Sequence, residues 1–145
     1  MGRVDFAFGA PDRLRTACDV VRKQYLGGRR LIIYIDDARQ LSRFDHLLWG
    51  FEPTAFVPHV RADDSLASST PIVLCQRDPD PKLSLAGKEP AWLLNLSSVY
   101  PPNADRFERI LEIVSQDADD REAARNRWRQ YQSNGHEVRA HQLAS

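Results

Sequence analysis

The sequence predicts an α/β fold in which helices cover a largely parallel sheet. Short apolar runs, typical of strands covered on both faces, alternate with segments whose apolar residues recur at helical spacing. The chain has 145 residues, which suits one domain spanning residues 1–145 with a core of its own. Hydrophobic residues make up 42% and charged residues 28% of the chain. This composition excludes a disordered chain, a collagen and a coiled coil.

The first third of the chain is predicted to hold two strands and two helices. Apolar and other residues alternate over residues 4–8, which indicates a strand. Helical spacing follows over residues 12–26, and a Gly-Gly pair ends it. Residues 31–35 form a continuous apolar run, typical of a buried strand. A capping-box pattern formed with Gln40 begins a second helix over residues 37–49.

The middle of the chain is predicted to be richer in loops. A short strand is expected at Phe56-Val57, before a proline. Two further apolar runs, at residues 71–75 and 91–96, predict buried strands. Between them, residues 76–90 are interrupted by prolines and indicate a surface excursion.

The last third of the chain contains one segment whose secondary structure the sequence leaves open, followed by a clear helix and a polar tail. Apolar residues between 107 and 114 fit either a helix or a helical turn that leads into a strand, and periodicity leaves both open. A helix is predicted over residues 118–133, because acidic residues fill its first turn and a glycine follows its end. The polar tail, residues 136–145, is expected to fray.

Charge and cysteine content narrow the function classes. The 20 basic and 20 acidic residues cancel, so a general electrostatic affinity for nucleic acid or a membrane is not expected. Only three of the basic residues are lysines, and the 17 arginines favour planar recognition of carboxylates or phosphates. Cys18 and Cys75 lack a paired motif and are expected to be buried, reduced thiols of a cytoplasmic protein. The sequence shows no signal-peptide pattern or membrane span.

An enzyme is the alternative hypothesis. Asp36 and Asp37 follow a buried strand, as do the metal-holding acids of phosphate-loop NTPases, which would fit a small nucleotide- or metal-dependent α/β enzyme. That chemistry also needs a GxxxxGK[ST] or GxGxxG segment to hold phosphates, and the sequence contains neither. The two acids are therefore interpreted as a helix cap and a solvated charge. No catalytic, metal-binding or cofactor-binding residue is predicted.

Two segments resist a purely structural interpretation. Trp49, Phe51 and Phe56 surround a loop punctuated by glycine and proline, so they either close the core or form a partner-binding patch. In the last helix, Arg121, Arg125 and Arg129 recur every fourth residue and form one stripe. The neighbouring apolar stripe contains Ala124, Trp128 and Tyr131. The alternative is a solvated face on which the arginines pair with Asp117, Asp120 and Glu122.

These segments resemble the chi subunit of bacterial DNA polymerase III. The resemblance is carried by Leu47-Leu48-Trp49, by Phe56-Val57-Pro58-His59, by the strand before Asp36, and by Ala124 to Tyr131. It implies a Rossmann-like three-layer domain without a phosphate-binding loop, in which residues 109–114 form a strand. It also implies a non-enzymatic adaptor of the clamp loader, without a cofactor and without direct contact to nucleic acid or membrane.

The resemblance further implies two binding surfaces. The psi subunit of the clamp loader would bind at Trp49, Phe51, Phe56, Val57 and Pro58. The acidic C-terminal tail of single-stranded-DNA-binding protein would bind at Val114, Arg121, Arg125, Trp128 and Arg129. A DNA helicase is an alternative or additional partner for the aromatic surface, and an uncovered patch of this kind can also pair with a second copy of the chain.

Overall fold

A computed structural model describes residues 2–50 and 56–143. This part of the chain forms one all-parallel sheet with strand order β3-β4-β2-β5-β6-β1-β7, together with three α-helices. The strands are β1 (Arg3–Ala10), β2 (Leu31–Tyr34), β3 (His59–Arg61), β4 (Ile72–Cys75), β5 (Trp92–Asn95), β6 (Arg109–Ser115) and β7 (Glu137–Gln142). The helices are α1 (Arg13–Leu26), α2 (Ala38–Gly50) and α3 (Ala118–Ser133).

The helices lie on both faces of the sheet and produce three layers. On one face, Cys18 of α1 and Phe44 of α2 pack with Ile33 of β2 in a single apolar cluster. On the other face, Tyr131 of α3 packs in a second cluster that includes Ile32. Ile32 and Ile33 are neighbours with opposite directions, because side chains alternate along a strand. The fold is therefore the Rossmann-like three-layer α/β architecture that the sequence and its resemblance predicted.

Local sequence signals explain where the helices begin. The Asp12 carboxylate accepts a hydrogen bond from the Arg15 N–H at 3.2 Å, and the Asp37 carboxylate accepts one from the Arg39 N–H at 2.9 Å. Asp117 caps α3 in the same way, accepting from the Asp119 N–H at 2.8 Å. Such caps satisfy N–H groups that have no partner inside the helix. The predicted starts of all three helices agree with the structure to within one residue.

The structure differs from the sequence-based expectation at two places and decides a third that the sequence left open. The short strand β3 begins at His59, beyond the predicted Phe56-Val57, since Pro58 separates those residues from the ladder. The ambiguous segment before α3 is strand β6, as the resemblance implied. The tail that was expected to fray forms β7, which pairs with β1 along its whole length. A strand at the sheet edge needs few apolar side chains, so its sequence carries little signal.

None of the helices in the described residues is long and apolar enough to cross a membrane. Both cysteines are buried free thiols, as the sequence predicted.

Candidate functional site

The crevice at the carboxyl ends of the strands holds Asp36 and Asp37. Ligands of parallel α/β folds commonly bind in this position. Here the Asp37 carboxylate already caps α2, and Asp12 caps α1, so both helix ends that border the crevice are occupied by carboxylates. Arg13 is committed to the carbonyl oxygens of Ile113 at 2.8 Å and Ser97 at 3.0 Å. Carboxylates in these places repel a phosphate group, and the described residues contain no cluster of three or more metal-ligating side chains.

A buried ion pair fixes α3 on the sheet. Arg127 is fully buried, and its Nε lies 3.2 Å from both carboxylate oxygens of Glu112 in β6. Its Nη1 donates to the carbonyl oxygen of Ser98 at 3.1 Å. The Tyr131 hydroxyl donates to Glu112 at 2.7 Å, and burial together with this carboxylate raises the pKa of Tyr131 well above its usual value. These contacts set the rotation of α3, so the arginines of its opposite face point outward.

A cavity of about 330 Å³ opens between α3 and the edge of the sheet. Its lining residues are Phe8, Ala124, Arg125, Trp128, Arg129 and Ala140. The Trp128 ring lies 5.0 Å from the Phe6 ring and 6.2 Å from the Phe8 ring, measured between centroids, so aromatic packing holds the wall of the cavity in place. The two arginines carry the charge of this site and the other four residues supply an apolar interior.

The arginine stripe lies beside this cavity. Arg121, Arg125 and Arg129 are exposed, and none forms an ion pair with a carboxylate of residues 2–50 or 56–143. The alternative, in which Asp117, Asp120 and Glu122 pair with these arginines, is not what the structure shows, because none of its ion pairs joins one of these acids to the stripe. Asp117 caps the helix, and Asp120 accepts from the Ser115 N–H at 2.7 Å. The guanidinium groups are available to an external anion.

Val114 does not belong to the surface of this site. It lies in β6 with no exposed area, inside the cluster that also contains Trp128. The expectation that Val114 contacts a ligand is therefore corrected, because Val114 lies in the same buried cluster as Ala124 and Tyr131 of α3. Phe8 is partly exposed and lines the cavity in its place.

The second candidate surface lies at the end of α2. Trp49 is 54% exposed and Phe56 is 64% exposed, and their ring centroids are 5.2 Å apart. The Trp49 ring also lies 4.4 Å from the ring of His59. The two rings make a contiguous apolar patch on the outside of the protein, which favours partner binding over closure of the core as the reason for these aromatics.

His59 packs against the buried side of the Trp49 ring. It is buried, with Nδ1 at 2.8 Å from the carbonyl oxygen of Val57 and Nε2 at 2.9 Å from the Asp45 carboxylate. Val57 itself is 3% exposed and packs in the core with α1 and α2, so the expectation that it belongs to the binding surface is wrong. Pro58 is half-buried, and Phe51 lies outside the described residues.

Comparison with known proteins identifies the family of this chain. Residues 1–139 match the family described as DNA polymerase III chi subunit, HolC. The chain belongs to the chi family of DNA polymerase III. A protein named DNA polymerase III subunit chi from Pseudomonas aeruginosa is 30% identical over 147 residues, which cover 99% of this chain and 98% of that protein. Proteins of the same name from Escherichia coli and Haemophilus influenzae are 24% and 26% identical and cover 81% and 82% of this chain. These alignments span 77% and 79% of those two proteins.

Sequence reasoning missed two walls of the cavity in this chi-family chain. Phe8 was assigned to the first strand, but its position beneath Trp128 depends on how α3 returns across the sheet. Ala140 belongs to a strand that the polar tail did not reveal. Membership of the chi family confirms the resemblance that the sequence suggested.

Proposed function

We propose that this chi-family chain is a non-enzymatic adaptor, which joins the psi subunit of the clamp loader to the acidic C-terminal tail of single-stranded-DNA-binding protein. The observation that carries the proposal is the cavity beneath α3, which combines an apolar interior with the guanidinium groups of Arg125 and Arg129, neither of which is ion-paired to a described carboxylate. The resemblance to the chi family implies a tail that ends in acidic residues followed by proline and phenylalanine, and such a peptide matches this combination of charge and shape.

The terminal carboxylate of the tail is assigned to Arg125. Arg125 lies centrally in the arginine stripe and lines the cavity, so it can hold the carboxylate while the phenylalanine ring enters. A charge-assisted hydrogen bond of this type contributes roughly 1.5–3 kcal/mol, and burial of the ring contributes roughly a further 1.5–3 kcal/mol. Each solvent-exposed pair formed by Arg121 or Arg129 contributes about 0.2–1 kcal/mol.

The expected affinity is weak. Ordering a flexible peptide subtracts several kcal/mol from the sum of these contacts. The remainder corresponds to binding on the order of micromolar, about −8 kcal/mol. Added salt is expected to weaken binding further, because it screens the exposed arginines.

The psi subunit is assigned to the surface formed by Trp49 and Phe56. Their exposure and their mutual contact support a role as apolar anchors for a partner. Neither residue contributes to the cavity beneath α3. Each surface therefore has its own side chains for its own partner.

Calorimetric titration of a synthetic tail peptide tests the assignment of the cavity. Arg125→Ala is expected to weaken binding most, and Arg121→Ala and Arg129→Ala less, because only Arg125 is assigned the terminal carboxylate. Arg15→Ala, an exposed arginine of α1, is the matched control and should leave the affinity unchanged. A peptide with an amidated C-terminus should lose about as much affinity on wild type as the carboxylate peptide loses on Arg125→Ala.

Two results would overturn the assignment. Equal small losses in the three stripe variants would indicate diffuse charge attraction without a carboxylate site. Full binding of the amidated peptide would show that Arg125 does not hold the terminus.

A further inference from the structure

Strand β7 has an open outer edge beside the cavity. It is the last strand in the sheet order, and among residues 2–50 and 56–143 its ladder partner is β1. Five of its six residues are exposed. The unpaired N–H and C=O groups of an edge strand are a template for another extended chain.

The hydrogen bonds at the two ends of β7 show which of its residues direct their main-chain N–H and C=O groups away from β1. The Glu137 N–H donates to the carbonyl oxygen of Gly2 at 3.1 Å, and the Leu143 N–H donates to that of Phe8 at 2.9 Å. Every second residue between them also faces β1, because main-chain groups alternate in direction along a strand. The residues whose main-chain groups face outward are Val138, Ala140 and Gln142.

The outward-facing edge and the cavity share Ala140, which lines the cavity wall. Residues side by side on neighbouring strands direct their side chains to the same face, with Cβ atoms about 4.5–5.5 Å apart. A residue placed beside Ala140 in an added strand would therefore direct its side chain into the cavity. We propose that the tail peptide adds to the outer edge of β7 as an eighth, parallel strand, with its terminal aromatic ring in the cavity beside Ala140. This proposal rests on the proposed function and adds main-chain contacts to it.

Charge along α3 gives the direction of the added strand. Arg121 lies near Gln142, at the carboxyl end of β7, where the acidic first turn of α3 weakens the attraction of Arg121 for an acidic peptide and makes its contribution smaller than that of Arg129. With the terminal carboxylate at Arg125, the upstream acids are better placed toward Arg129 and the amino end of β7. The peptide then runs in the same direction as β7 and ends before Gln142.

The chemistry of the tail suits this arrangement. The N–H groups of Val138 and Ala140 donate, and carbonyl oxygens of the peptide accept. In this register the proline before the terminal residue faces β7, where its carbonyl oxygen accepts from the Ala140 N–H, and its missing N–H leaves the Val138 carbonyl oxygen to solvent. Main-chain pairing of this kind is indifferent to the identity of the acidic side chains, so it adds affinity without demanding one sequence.

Residue-resolved amide hydrogen exchange on the full chain tests the proposal. When the tail peptide is present at 100 times its Kd, exchange of the Val138 and Ala140 amides should slow about 100-fold, because each must wait for the peptide to dissociate. The Gln142 amide, which also faces outward, is the internal control and should be unchanged. Amides that face β1 should change little because they are already bonded.

A pair of proline variants gives a second measurement. Val138→Pro removes an outward N–H while leaving the bonds to β1 intact, and it should weaken peptide binding about tenfold, the loss of one hydrogen bond of about 1.4 kcal/mol. Gln142→Pro makes the same change beyond the end of the peptide and should bind as wild type. The exchange experiment needs no variant, so it decides the question if Val138→Pro fails to fold.

The outcomes separate this proposal from the one on which it rests. Loss of binding in Arg125→Ala without protection of Val138 and Ala140 would overturn the eighth strand and leave the adaptor proposal standing. Protection of Gln142 in place of Val138 would overturn the parallel direction. A peptide that fails to bind wild type would overturn the adaptor proposal itself.

Discussion

Arg125 and Arg127 show how position on a helix decides the role of one residue type. Arg125 faces solvent beside the cavity, whereas Arg127, two residues later, is fully buried against Glu112. Removing one member of a buried ion pair leaves the other charge without its partner. The same chemical group is therefore exposed to solvent on one face of α3 and fixes the position of the helix on the other.

Arg127→Ala is expected to lower the free energy of unfolding by about 3–5 kcal/mol, because it removes the fully buried cation beside Glu112 and leaves that carboxylate with the longer contact to Arg13, at 3.8 Å. Arg125→Ala, the matched control, should change it by no more than about 0.5 kcal/mol. Urea denaturation followed by far-UV circular dichroism measures both. Similar stabilities for the two variants would contradict the anchoring role of the buried pair.

The two thiols are expected to be inert in the folded protein. Burial raises the pKa of Cys18 to about 12 and that of Cys75 to about 12, so little thiolate forms near neutral pH. Reaction with a disulfide reagent at pH 8 should be slow in buffer and rapid in denaturing urea. Fast stoichiometric reaction without urea would show that at least one thiol is accessible.

At the scale of the element, Asp5 ties β7 to the rest of the sheet. Its carboxylate accepts hydrogen bonds from Arg109 of β6 at 2.7 Å and from His141 of β7 at 2.9 Å. Arg3, also in β1, donates at 3.1 Å. Burial alone raises the pKa of Asp5, but the hydrogen bonds from His141, Arg3 and Arg109 together lower it below its usual value.

Acid is therefore expected to weaken the fold through Asp5. A carboxyl whose pKa is lower in the folded state contributes stability above its unfolded pKa, about 3.9, and this contribution is lost as the pH falls through the folded pKa. Asp5→Asn should be less stable than wild type at pH 7 and lose less stability in acid. Asp63→Asn, at an exposed residue, is the control. Urea unfolding at several pH values measures this, and parallel profiles for wild type and Asp5→Asn would contradict it.

The elements differ in how far the sequence could predict them. The buried strand at residues 31–35 is a continuous apolar run, and α3 begins at an aspartate cap, so both were predictable locally. The apolar positions of β6 fit two periods, and its pairing with β1 and β5 decides between them. The polar β7 is held by the ladder to β1 and by Asp5, and neither contact is visible in its own sequence.

The candidate site also has a part that the sequence could predict and a part that depends on the tertiary fold. The arginine stripe and Trp128 share one helix, so helical spacing alone brings them together. The cavity also needs Phe8 from the first strand and Ala140 from the last. Those strands are more than 120 residues apart in the chain, and only the completed sheet makes them neighbours. Val57 and Val114 were misplaced for the related reason that a motif does not reveal which of its residues are buried.

At the scale of the whole molecule, the distance between the Trp49 patch and the cavity beneath α3 determines whether binding at one surface affects the other. The Trp49 patch lies at the β3 end of the sheet order, next to His59, and the cavity lies at the β7 end. Six strand spacings of about 4.8 Å place those edges roughly 29 Å apart. The interior between them is a close-packed core with no shared surface residue. Coupling between two sites requires ligands that favour different global states, and the two surfaces share no residue through which one ligand would contact the other site.

The proposed adaptor is therefore expected to bind both partners independently. The affinity for the tail peptide, measured by calorimetry, should be the same within about twofold with and without saturating psi subunit, a coupling of about 0.4 kcal/mol or less. Trp49→Ala should abolish psi binding, because it removes an exposed anchor, and leave tail binding unchanged. Arg125→Ala should do the reverse, so each variant is the control for the other. Loss of both activities in Trp49→Ala together with a lower unfolding midpoint would mean that this tryptophan packs the fold instead. A tail affinity that changes tenfold with psi bound would mean that the sheet transmits a conformational change between its two ends.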